Sequence, residues 1–195
     1  MISWIKKNKV LCVLLLLTII SFLIGLLIPS ILPNSEKEEI KNNLIAFQNE
    51  SISKQISVQY FKKMAINNTM NVTIIWLLGI SLIGIPLLLM ILLGKIITLA
   101  IEIAFIIKSI KKIKILWAIL YLIPKTCYTI IVFFMVYYAI EYSSLLIKTL
   151  FLKKEYNLKN ITKQYRKVLW LSIMTIAITS IIELIIIPNT WKIFL

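Results

Sequence analysis

Residues 74–94, IIWLLGISLIGIPLLLMILLG, decide how this chain is read. The stretch carries no charge and is long enough to cross a hydrocarbon core of ~30 Å at ~1.5 Å per residue. Within it Trp76, Gly79, Ser81, Gly84 and Pro86 fall in the order W-x-x-G-x-S-x-x-G-x-P. Two glycines without side chains let a neighbouring backbone approach closely. Ser81 lies between them, placed to hydrogen-bond to that neighbour or back to its own helix. Pro86 lacks an N–H and crowds the carbonyl four residues earlier, so a single helix through this stretch is expected to kink just after Gly84. A simple lipid anchor needs none of these features. The reading is of a helix that packs and bends, a second crossing over 72–93.

Outward from that stretch, composition sets the class. The chain has 195 residues, of which 60% are hydrophobic, and a mean hydropathy of +0.94. A water-soluble domain does not hide that much apolar surface. The expected fold is all-α, a single polytopic membrane domain over 1–195 with about five transmembrane helices and a broken or re-entrant segment near Pro124. Twenty-two basic residues face eight acidic ones, for a net charge of +14, and Arg166 is the only arginine. The lysines flank the apolar runs, so topology and anionic lipid account for them and no nucleic acid is expected. There is no histidine, and Cys12 and Cys127 both sit in apolar runs. Neither a disulfide framework nor a metal site is expected.

Lys6, Lys7 and Lys9 precede a first crossing over 10–32, too long for the core of a cleaved leader. An extracytoplasmic segment over 34–71 follows. In it Ile40, Leu44 and Phe47, then Ile52, Ile56 and Tyr60, recur at helical spacing. Two short amphipathic helices on the outer leaflet fit that pattern. Either they are a solvated segment touching only membrane, or Ile52, Ile56 and Tyr60 dock an external partner. After 72–93 comes a short third segment, 96–110, with Glu102 inside it. Residues 115–147 are too long for one crossing. Pro124 and Lys125 divide them into a half-helix, 115–123, and a fourth crossing, 126–147. A basic cytoplasmic loop over 148–167 holds seven basic residues and one acid, and the last crossing, 168–187, ends at Pro188. The amino end is expected in the cytoplasm and the carboxyl end outside.

Catalysis finds little to work with. Ser81 has no histidine to take its proton and no G-x-S-x-G turn around it, so an intramembrane serine protease does not fit. No phosphate-cradling glycine loop occurs. No catalytic residue and no cofactor are expected. Glu102, Lys125, Glu141 and Glu183 are ionisable groups at membrane depth, each costing a few kcal/mol unless paired, hydrated or neutralised. Two readings stand: an ion or substrate path, or Lys125 pairing with Glu102 to hold the break at Pro124.

Asn68, Asn71 and then WLLGISLIGIPLLL resemble the signature of the stage II sporulation protein M family, bacterial polytopic membrane proteins of the engulfment machinery. The likeness extends in order and length over nearly the whole chain, although Lys125-Thr126 stands where many members carry His-Gly or Gln-Asn after the proline. The resemblance implies a scaffold in the cell membrane, at the sporulation septum and the engulfing membrane. There it would recruit and localise peptidoglycan-degrading partners, stage II sporulation proteins P and D, with the bilayer as its other partner. Two alternatives stand beside it: a small permease or ion-conducting subunit, in which Glu102 or Lys125 would carry flux, and a member of this family that acts outside sporulation.

Overall fold

A computed structural model of the chain describes residues 9–52, 58–81, 84–108, 115–151 and 158–189. Those residues form six helices: α1 (Lys9–Ile31), α2 (Asn34–Ile52), α3 (Val58–Ile80), α4 (Gly84–Lys108), α5 (Ile115–Phe151) and α6 (Leu158–Asn189). Three are long and apolar enough to cross a membrane by length and composition: α1, α4 and Tyr121–Thr149 of α5. α1 is apolar on every side, and Val13, Leu16, Ile19, Leu23 and Leu27 stay exposed. Exposed apolar faces of that extent, with all backbone groups bonded within the helix, are what a hydrocarbon solvent selects.

Five of the helices form a bundle with two ends. Gly25 of α1 meets Ile97 and Ala100 of α4, and one further turn along, Ser30 meets Lys108. The two helices therefore run in the same direction. Gly25 is the contact that lets them close: a Cβ there would lie 2.6 Å from that of Ala100 and 2.8 Å from the Ile97 carbonyl. α3 and α5 run the opposite way, and α6 runs with α1 and α4. The near end gathers Lys9, the α3–α4 turn and the start of α6. The far end gathers Ile31, Lys108 and the start of α5. The core between them is built from Leu14 of α1, Val72 and Ile75 of α3, Leu88 and Leu92 of α4, Val132 and Met135 of α5 and Ile176 of α6.

The deciding stretch, residues 74–94, is not one kinked crossing over 72–93. α3 ends at Ile80 and α4 begins at Gly84. The Ser81 N–H bonds to the Leu78 carbonyl (3.0 Å), and the Gly84 N–H to the Ser81 carbonyl (3.1 Å). The signature is a reverse turn joining two antiparallel helices. Gly84 is required by the turn itself, because any Cβ there would collide with the Leu78 carbonyl of its own chain. Pro86 falls in the first turn of α4, where its missing N–H would have no helical partner in any case. It starts a helix instead of bending one. Of the short third segment expected over 96–110, residues 96–108 form the second half of α4, and 109–110 lie outside the described residues.

The break expected at Pro124 is also absent. α5 is continuous from Ile115 to Phe151 with Pro124 inside it, so the half-helix 115–123 and the crossing 126–147 are one element. Proline removes one hydrogen bond and crowds one carbonyl, and packing against α4 outweighs that loss here. The described parts of the basic stretch 148–167, residues 148–151 and 158–167, are helical. Its first residues end α5, and Leu158–Lys167 opens α6. The segment 34–71, expected as one extracytoplasmic unit, divides as well. Asn34–Ile52 is a separate helix, whereas Val58–Asn71 belongs to α3 and runs into the bundle. Ile52 and Tyr60 lie in α2 and α3, their side chains not described, and Ile56 lies outside the described residues.

Candidate functional site: an intramembrane polar cavity and the turn that closes the bundle

Two constellations stand out, one at each level of the bundle. The first is the α3–α4 turn. Gly79 faces α5 and α6: a Cβ there would lie 2.7 Å from the Ala139 Cβ and would overlap the Tyr165 hydroxyl. That space is taken by Tyr165, whose hydroxyl donates to the Trp76 carbonyl (2.9 Å). Tyr165 is sandwiched between Trp76 (centroids 5.6 Å apart) and Tyr142 (4.4 Å), both stacked. The Tyr142 hydroxyl in turn shares a hydrogen bond with Thr162 (3.0 Å). Ser143 donates to the Ser81 carbonyl at 3.4 Å. Of the five signature residues, Trp76, Gly79 and Ser81 make the clasp to α5 and α6, while Gly84 and Pro86 shape the turn. Tyr142, Ser143 and Tyr165 were not legible as partners. Tyr165 lies in the basic stretch that reads as a loop, and nothing local marks it.

The second constellation is a cavity of about 250 Å³ between α3, α4, α5 and α6. Asn68 of α3, Lys95, Thr98 and Glu102 of α4, and Pro124 and Lys125 of α5 line it. Tyr128, Thr179 and Ser180 complete the polar wall. Asn68, Glu102, Pro124 and Lys125, singled out separately along the sequence, are thus brought to one place. Asn71 lies a turn below, alongside Tyr128 but outside hydrogen-bonding geometry. The Lys125 ammonium contacts both Glu102 carboxylate oxygens (2.7 and 2.6 Å). It also bonds the Tyr121 hydroxyl and lies 4.1 Å from that ring's centroid. The pair ties α4 to α5 across the cavity; with α5 continuous, there is no break for it to hold. Glu141, by contrast, is exposed and accepts from Tyr137 (2.8 Å). Glu183 lies in α6 with its side chain not described.

Lys95 is the residue whose importance the sequence conceals. Between Gly94 and Ile96 it reads as the polar end of one crossing. In the structure it sits halfway along α4, its ammonium 5.4 Å from the centroid of Tyr128. The Tyr128 hydroxyl and the Trp76 indole N–H are buried without hydrogen-bond partners. No group of three or more cysteine and acidic side chains that could hold a metal occurs among the described residues.

Described elements that are all helical, with three membrane-length apolar helices among them, exposed apolar faces and polar groups turned into the bundle, define a polytopic membrane protein. Residues 14–188, most of the chain, match the family described as stage II sporulation protein M, and the chain belongs to that family. No curated protein and no solved structure matches it. Membership together with the apolar helices gives the coarse reading of a sporulation-related membrane protein.

Proposed function

We propose that this chain is a membrane scaffold that recruits and localises peptidoglycan-degrading partners during wall remodelling and forespore engulfment, stage II sporulation proteins P and D being the expected partners. The observation that carries the reading is α2. It is a polar 19-residue helix at the far end of the bundle, and most of its side chains over 34–43 and 45–46 are exposed. The exposed polar surface over 34–43 is available for contact with another protein. The family match supplies the process.

In this reading all five bundle helices cross the membrane. α3 is the less apolar for Asn68, which lines the cavity, and Asn71 beside Tyr128, while Ile66, Met70, Ile74 and Leu77 form an exposed apolar stripe. α6 exposes Trp170, Leu171, Met174 and Ile178 in the same way. In this reading the near end, with Lys9, Lys148, Lys159, Lys163, Arg166 and Lys167, faces the cytoplasm, and Lys37, Lys41, Lys62, Lys63 and Lys108 at the far end run against the positive-inside trend. α2 then lies outside, where the wall is.

The test is affinity capture of the tagged protein from membranes of its own sporulating cells. Recovery of peptidoglycan hydrolases, lost when 34–52 is scrambled but the protein still inserts, is the expected result. Recovery that survives the scramble removes α2 as the docking element. A second reading, a small permease subunit, is favoured by one observation, the charged cavity at membrane depth. It predicts capture of a transport ATPase without wall enzymes and loss of flux in Glu102→Gln.

A further inference from the structure

We infer that the cavity beneath Lys125 and the groove beside it form one binding site for an anionic membrane lipid, with a phosphate headgroup at Lys95 and an acyl chain along α1 and α5. The inference stands apart from partner recruitment and holds or fails without it.

Charge comes first. Lys95, Lys125 and Glu102 line the cavity, and Glu102 is consumed by Lys125 at 2.6 Å. One cation is left over, and no carboxylate pairs with Lys95 among the described residues. A ring face attracts an ammonium but does not neutralise it, so the site favours an anion at membrane depth. Donors come second. The Tyr128 hydroxyl, in the same wall, is buried without a partner, and such a group is costly to leave unmade. Ser180 and the Asn68 amide offer further hydrogen bonds to phosphate oxygens.

Shape then identifies the anion as an amphiphile. An apolar groove of about 470 Å³ runs along the outside of the bundle, lined by Ile19 and Phe22 of α1, Ile96 of α4, and Ile130 and Phe133 of α5. Leu99 and Thr129 belong to both the groove and the polar cavity, so the two spaces adjoin. A free phosphate would leave the groove unexplained, and an uncharged lipid would leave Lys95 and Tyr128 unexplained. A phosphate-bearing lipid satisfies both.

The experiment uses the full-length protein in lipid nanodiscs containing phosphatidylglycerol with a photoreactive group in its acyl chain, compared with phosphatidylcholine labelled identically. The expected result is labelling of groove peptides about tenfold stronger with the anionic lipid, falling about tenfold in Lys95→Gln and retained in Lys95→Arg. Equal labelling by the two lipids, or undiminished labelling in folded Lys95→Gln, overturns the inference. If Lys95→Gln is not recovered folded, Tyr128→Phe decides: it loses the donor but keeps the ring, and unchanged labelling overturns the site. A third arm adds inorganic phosphate alone. Protection of Lys95 from an amine reagent by phosphate, with no preference between lipids, would mean a free-anion site and overturn the lipid assignment.

Discussion

Gly79 and Gly94 look alike along the sequence and differ completely in the bundle. Gly79 lies against Ala139 and the Tyr165 hydroxyl, whereas a Cβ on Gly94 would meet nothing within 4 Å. Gly79→Ala is therefore expected to destabilise the protein by about 2 kcal/mol or more, because Ala139 backbone and a hydrogen-bonded tyrosine must both shift. Gly94→Ala is expected to be neutral or stabilising by about 0.5–1 kcal/mol through helix propensity. Reversible unfolding in mixed detergent measures both, and equal effects would disprove the clasp. Glu102 and Lys125 make a second residue-scale case. Glu102→Gln leaves Lys125 unpaired next to an already unpaired Lys95. It is expected to cost about 2 kcal/mol, less than breaking a fully buried pair, because both side chains are about a quarter exposed. The exchanged pair Glu102→Lys with Lys125→Glu should recover more than half of that in the same assay. These residue types were legible, and their pairing was one of two readings. That Lys95 shares their cavity was not, because α4 has to be uninterrupted through Lys95 before Lys95 and Glu102 lie two turns apart on one wall.

At the scale of elements, the two prolines exchange the roles that their surroundings suggest. Pro86, in a glycine-bracketed run, begins α4; Pro124, beside a charge in an over-long run, sits inside α5 without ending it. Pro86→Ala is expected to change stability by less than about 1 kcal/mol, since the restored N–H has no helical acceptor. Leu92→Pro, which removes an interior bond and a fully buried core side chain, is expected to cost about 3 kcal/mol or more. Helical content by circular dichroism and thermal unfolding distinguish the two. A glycine-serine-glycine-proline run gives the same local signal for a kink and for a reverse turn, since both need freed backbone and a missing donor. Tyr165 and Ser143, 89 and 62 residues away from their acceptors on Trp76 and Ser81, are what hold this one as a turn.

At the scale of the molecule, the direction of α1 against α4 carries the topology. With Cys12 and Cys127 replaced, Ser30→Cys and Lys108→Cys in one chain are expected to join efficiently through a short bifunctional maleimide, since the native side chains meet at 3.3 Å. If α4 ran the other way, the two positions would lie at opposite ends of a helix ~37 Å long, and no intramolecular product would form.

What the sequence determined by itself was set by quantity and by local order. A chain 60% hydrophobic with lysines between long apolar runs reads as helices in a membrane. The apolar run that forms α1 and the family signature could be read without coordinates, and the Lys125–Glu102 pair was one of the two readings that the sequence offered. What only the tertiary structure decided was where the chain reverses. The reversal lies at Ser81 instead of Pro124, because hydrogen bonds and aromatic stacking from distant helices stabilise the first and continuous packing against α4 carries α5 through the second. Periodicity records which residues avoid water. In a membrane nearly every face avoids it, so the inward face, and with it the cavity around Lys95, emerges only when the helices meet.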